Sequence, residues 1–230
     1  MKKFYFLLYF GFIPAFLFSD SFREFGMLKQ VGCLEAISNL ILISYYLNFK
    51  KSKLLLIDFY VIEALLFTIT GGVLLIFFVD KQLLMFINTV GFYLTQFMFI
   101  AVFRNEGSIL PALSSLIKEW KIIILTILFF VGLAFLLIAL IPNSLLLISF
   151  VYSTQMMVLC WMAYFRPIPQ KAFYMGFAGV FLLVISNLWF ALNLFYREFS
   201  YPVGIYIVLY AISQLLLIES ILYNRNESQI

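Results

Sequence analysis

The chain has 230 residues, 65% of them hydrophobic and only 11% charged, with a formal net charge of +4 and a mean hydropathy of +1.07. That balance excludes a soluble globular domain and marks a polytopic membrane protein. Histidine is absent, which excludes a Ser-His-Asp triad and a histidine-built zinc site. No metal or organic cofactor has a recognisable site, and the basic excess lies in short stretches between apolar runs, where it reports topology rather than nucleic-acid contact.

A span needs roughly 20 apolar residues to cross about 30 Å of hydrocarbon. The apolar runs are continuous rather than alternating, so the spans are expected to be helices and not barrel strands. Reading runs between charges gives an all-α bundle of eight transmembrane helices forming a single domain over 1–230. The spans are 4–18, 31–48, 57–79, 83–103, 121–140, 144–165, 172–194 and 202–222. With the N-terminus inside, only Arg23, Lys29, Lys81 and Arg197 of the fifteen basic residues fall outside. Both termini are therefore expected in the cytoplasm.

The first span also has the charged start and apolar stretch of a secretory signal. A cut at Ser19 would follow Leu17 and Phe18 where small residues are wanted, so an uncleaved span is the expectation. The connection "RNEGSILPALSSLIKEW" either lies in the interface, anchored by Trp120, or is a solvated loop. Cys33 and Cys160 fall inside spans and read as free thiols. Gly71 and Gly72, and Gly176 and Gly179, allow close helix approach. No internal repeat is evident, which argues against transporter folds built from inverted halves. The Lys, Ile, Asn and Phe bias points to a bacterial source, and hence to the plasma (inner) membrane.

Polar residues well inside spans carry the functional information, because each needs a partner or a cavity. Glu35, Asn39, Glu63, Thr68, Thr70, Thr95, Gln96, Tyr152, Gln155, Ser186, Asn187, Asn193, Tyr210, Ser213 and Gln214 form such a set, with Glu35, like Glu219, nearer a span end and so less telling than Glu63. Tyr206, Tyr210, Ser213 and Gln214 share one helical face, and Ser186, Phe190 and Asn193 another. The bland reading is interhelical glue, at about 0.6–2 kcal/mol per hydrogen bond. The competing one is a polar-lined cavity for an amphiphile. Glu63, about two turns inside the third span, is expected to be the most buried carboxyl and is the candidate catalytic acid, with snorkelling toward Lys53 as its structural alternative.

"GFAGVFLLVISNLWFALNLFY" followed by "LYAISQLLL" resembles the last two helices of the YhhN, or lysoplasmalogenase-like, membrane proteins, with Ser186, Ala191, Asn193, Phe195, Tyr210 and Gln214 at matching positions. "LLFTITGGVLLIF" and "GFYLTQFMFIAVF" extend the resemblance to residues 64–222, with Tyr152 and Ala163 fitting more loosely. The family's aspartate positions hold Gly72 and Asn187, its histidine position Gln96 and its tyrosine position Phe99. The resemblance implies an eight-span protein that hydrolyses the vinyl ether bond of lysoplasmalogen or a related lysolipid. It also implies substrate-binding positions at Gly72, Gln96, Tyr152, Asn187, Asn193, Tyr210 and Gln214. Neither Gly72 nor Asn187 can deliver a proton, and Glu63 lies about 180° around the helix from Gly72. A non-catalytic lipid-binding or regulatory membrane protein is therefore the alternative, and a small-molecule transporter the third reading.

Overall fold

The computed structural model describes residues 2–17, 27–51, 53–77, 81–108, 119–140, 143–195 and 202–227. The signal cut considered at Ser19 and most of the 104–120 connection lie outside the described residues. Among those described the fold is all-helical, with eight α-helices: α1 (Lys2–Leu17), α2 (Met27–Phe49), α3 (Leu56–Phe77), α4 (Lys81–Asn105), α5 (Trp120–Leu140), α6 (Asn143–Tyr164), α7 (Gln170–Phe195) and α8 (Pro202–Glu227). Four contain stretches long and apolar enough to cross a membrane: Lys29–Phe49, Leu56–Leu74, Gln170–Asn193 and Gly204–Glu227. They mark the chain as an integral membrane protein.

Local chemistry sets the helix ends. Pro202 opens α8, where its missing N–H costs nothing. Asp58 reaches back to the Leu55 N–H at 2.7 Å, capping the start of α3. Gly107 ends α4 with φ of 89°, and the Ser108 N–H donates to the Phe103 carbonyl while the Gly107 N–H donates to that of Arg104. This is a Schellman stop, which needs the left-handed conformation glycine adopts freely.

Six helices pack in a closed ring in the order α2, α3, α4, α6, α7, α8 and back to α2. Outside it, α1 packs against α2 and α8, and α5 lies against α6. The exposed Leu125, Leu128 and Phe135 of α5 suit a lipid-facing surface. Glu35 meets Tyr206 and Asn39 meets Tyr210 at the same sequence offset of 171, so α2 and α8 run parallel. The ring thus divides into two three-helix halves, α2–α4 and α6–α8, which meet along two seams, α2/α8 and α4/α6.

Glycines set the tightest approaches. A Cβ on Gly72 would stand 2.7 Å from the Gly32 carbonyl oxygen of α2, and one on Gly179 would stand 3.0 Å from the Leu217 backbone N and the Ser213 carbonyl of α8. The close approach expected of Gly72 and Gly179 is met by backbone lying directly against each of them. Cys33 and Cys160 are both free and half-buried. The last helix runs on to Glu227, beyond the expected end at 222, because Asn224 and Arg225 are held by buried carboxylates rather than by water.

Candidate functional site

Between the two halves lies a polar core. Glu35 and Asn39, one turn apart on α2, are both fully buried. The Tyr206 hydroxyl of α8 donates to Glu35 Oε1. Asn39 Nδ2 donates to the Glu35 carbonyl at 2.7 Å and to the Tyr210 hydroxyl at 3.1 Å. The Tyr206 and Tyr210 rings stack 5.8 Å apart, and Phe190 of α7 packs 5.0 Å from Tyr206. From α3 and α4, Thr68 and Thr95 join hydroxyls at 2.9 Å. Across the α4/α6 seam the Gln96 amide reaches toward Tyr152 without closing a hydrogen bond.

Several of these groups have no hydrogen-bond partner among the described residues: Glu35 Oε2, Asn39 Oδ1, both amide ends of Gln96 and Gln214, Gln155 Oε1 and Asn187 Nδ2. Each unpaired buried polar atom costs about 1–3 kcal/mol. Those on Glu35, Asn39, Gln96 and Gln155 lie along the α2/α8 and α4/α6 seams, and unpaired polar atoms gathered between two halves of an apolar bundle are what a site for a polar group looks like.

The residues singled out by sequence divide accordingly. Gln96, Tyr152, Tyr210 and Gln214 lie in or beside the core, with Tyr152 half-buried and the other three buried. Asn187 shares a face with Phe190, three residues on, and its amide nitrogen is buried rather than turned to lipid. Asn193 donates back to the Trp189 carbonyl at 2.8 Å, so its amide is engaged within its own helix. Gly72 faces the α2 backbone, with no room for a ligand beside its Cα.

Glu63 is not the most buried carboxyl. It is exposed, on a stripe with Phe59, Leu66 and Val73 that forms the outer face of α3, while Val61, Ala64, Leu65 and Thr68 face inward. Glu35 takes the central place. The signal that finds it is the Glu35–Asn39 pair at i and i+4 in an apolar helix, matched on α8 by Tyr206 and Tyr210 at the same spacing.

A second polar cluster, built from span ends and the stretches just beyond them, closes one end of the ring. Asp58 Oδ1 accepts from the Tyr46 hydroxyl at 2.6 Å, and Oδ2 from Lys50 at 3.1 Å and Arg225 at 3.2 Å. Glu106 accepts from Arg166 at 2.5 Å and from Asn224 at 2.8 Å. Arg166 also donates to Ser220 at 3.1 Å and lies 4.2 Å over the Phe103 ring. Gly176 leaves space for that guanidinium, which a Cβ there would strike. Burial pushes the Glu106 carboxyl above the ordinary range, a shift that Arg166, Asn224 and Arg225 oppose. Burial likewise lowers Arg166, against the pull of Glu106. Both acids belong to the first half of the ring and both arginines to the second, so this latch joins the halves by complementary charge.

Among the described residues no group of three or more His, Cys, Asp or Glu side chains is placed to hold a metal ion. No curated protein and no solved structure matches the chain. The YhhN family profile does match, over residues 33–221, a stretch that begins just before Glu35 and takes in the whole polar core; the chain belongs to the YhhN family.

Proposed function

We propose that the protein is an eight-span membrane protein with both termini in the cytoplasm of a bacterial cell, seated in the plasma membrane. It admits a single-chain ether lipid between the two halves of its ring and hydrolyses the vinyl ether bond, releasing a fatty aldehyde and a glycerophospho-base. The observation that carries this reading is the set of unpaired polar atoms buried between the halves. Gln96, Gln214 and Asn187 supply amides for the glycerol and headgroup oxygens. Tyr152 and Tyr210 flank the reacting segment, Asn193 stiffens the end of α7, and Gly72 lets α2 and α3 close behind the site. Family membership supports the choice of substrate class.

A second reading is favoured by one observation, that Gly72 and Asn187 stand where the family resemblance expects aspartates. On it the protein binds the same lipid without turning it over. Purified protein in detergent separates the two when incubated with lysoplasmenylethanolamine. Aldehyde release, with a deuterium on the aldehyde's α carbon when the reaction runs in D2O, is the expected result. Saturable binding of the lipid with no aldehyde formed would decide for the second reading.

A further inference from the structure

The polar core holds one carboxyl, and its two oxygens differ. Glu35 Oε1 accepts from Tyr206, while Oε2 is buried with no partner. No lysine or arginine contact to this carboxyl is present among the described residues, unlike Asp58 and Glu106, which are both held by arginine. An ionised carboxylate in that setting would be strongly disfavoured, whereas a neutral acid fits the geometry: its carbonyl oxygen accepts from Tyr206 and its hydroxyl, on Oε2, keeps a proton to give. One turn away Asn39 spends both donors, on the Glu35 carbonyl and on Tyr210, leaving Oδ1 free to accept. A proton donor and a water acceptor thus sit side by side on one face of α2.

Resting on the hydrolase reading above, we infer that Glu35 is the acid of this protein, doing from α2 what neither Gly72 nor Asn187 can do, and that Asn39 positions the attacking water. The proton on Oε2 passes to the β carbon of the vinyl ether, the alkene π pair forming the new C–H bond and leaving an oxocarbenium ion. Water held by Asn39 Oδ1 adds to the cationic carbon and returns a proton to the Glu35 carboxylate. The resulting hemiacetal breaks its C–O bond to glycerol as its hydroxyl proton leaves and the departing oxygen is protonated. One water is consumed, and Glu35 ends as it began. Tyr206 holds Oε1 throughout, so the proton stays on the oxygen that faces the substrate.

The test measures aldehyde release by wild type, Glu35→Gln, Asn39→Ala and Glu63→Gln, with binding of a saturated ether analogue measured in parallel. The expected result is a loss of about 100-fold or more for Glu35→Gln with analogue binding kept, as general acid catalysis contributes roughly 10²–10⁴. Asn39→Ala should lower kcat and leave KM in place, and Glu63→Gln should match wild type. A hydrophobic carbodiimide, which attacks neutral carboxyls in apolar surroundings, should modify Glu35 of the wild type and inactivate it, with the analogue protecting; mass spectrometry locates the adduct. This arm holds even where Glu35→Gln does not fold. An active wild type that Glu35→Gln leaves unimpaired, or that the reagent inactivates without touching Glu35, overturns the role of Glu35 and leaves the hydrolase reading standing. A wild type that releases no aldehyde overturns both.

Discussion

Position 72 shows at the level of a single residue why an acid cannot simply be restored. The carbonyl of Gly32 occupies the space where a side chain would begin, and backbone atoms cannot swing aside as a flexible side chain can. Gly72→Asp should therefore cost about 1–3 kcal/mol through overpacking alone and lower the melting temperature in detergent. Asn187→Asp is nearly isosteric and replaces an amide nitrogen that has no partner, so its melting temperature should fall less than that of Gly72→Asp. Part of the buried polar core was legible at this scale: Gln96, Tyr210 and Gln214 are buried polar groups as expected. The sequence ranked Glu63 above Glu35 and the structure reverses the order, because depth along a helix is readable in sequence but the face turned to the core is not. In α3 the deciding contrast is between Phe59, Leu66 and Val73 outside and Val61, Ala64 and Leu65 inside, all apolar. Where both faces are greasy, the hydrophobic pattern carries no phase.

The helices themselves were readable to within a few residues, since long apolar runs between charges admit little else in a membrane protein. The exception is α8, which continues to Glu227 because the latch recruits its last turn. The sequence reading put Glu106, Arg166 and Arg225 outside the spans with no partner named; partners 60 and 167 residues apart in the chain, Glu106 with Arg166 and Asp58 with Arg225, bury them. Removing one member of such a pair strands the other. Arg166→Met should cost about 3–5 kcal/mol, and Glu106→Gln, which keeps a polar partner for the guanidinium, distinctly less. Chemical denaturation in detergent compares them. The pH dependence has a definite sign. With its carboxyl held above the ordinary range by burial, Glu106 keeps its proton in the folded state at pH values where the unfolded chain has lost it. Its contribution is complete below the ordinary carboxylate range and declines as pH rises through the raised value. The stability difference between wild type and Glu106→Gln should therefore shift against wild type across that window.

For the whole molecule, the parallel run of α2 and α8 fits a chain that weaves through the bilayer, and Lys2 lies 3.5 Å from Glu219, so the start of α1 and the last part of α8 share one end of the bundle. On the proposed topology, a fluorescent protein fused after residue 230 should fold and fluoresce inside cells, while alkaline phosphatase at the same point should stay inactive; the reverse pattern would invert that topology. That shared end is also where the latch lies, and its position makes the two ends of the ring mechanically unequal. Asp58 with Arg225 and Glu106 with Arg166 bind the halves there, while farther along the ring the α2/α8 seam is crossed by hydrogen bonds from Asn39 and Tyr206 and the α4/α6 seam by one from Gln155 to the Tyr93 carbonyl. A bundle stapled at one end parts most readily at the other. On the topology and substrate proposed above, the latched end would serve as the hinge, and a lysolipid would enter between the halves from the leaflet farther from the cytoplasm, tail against the exposed helix faces and headgroup toward the unpaired amides.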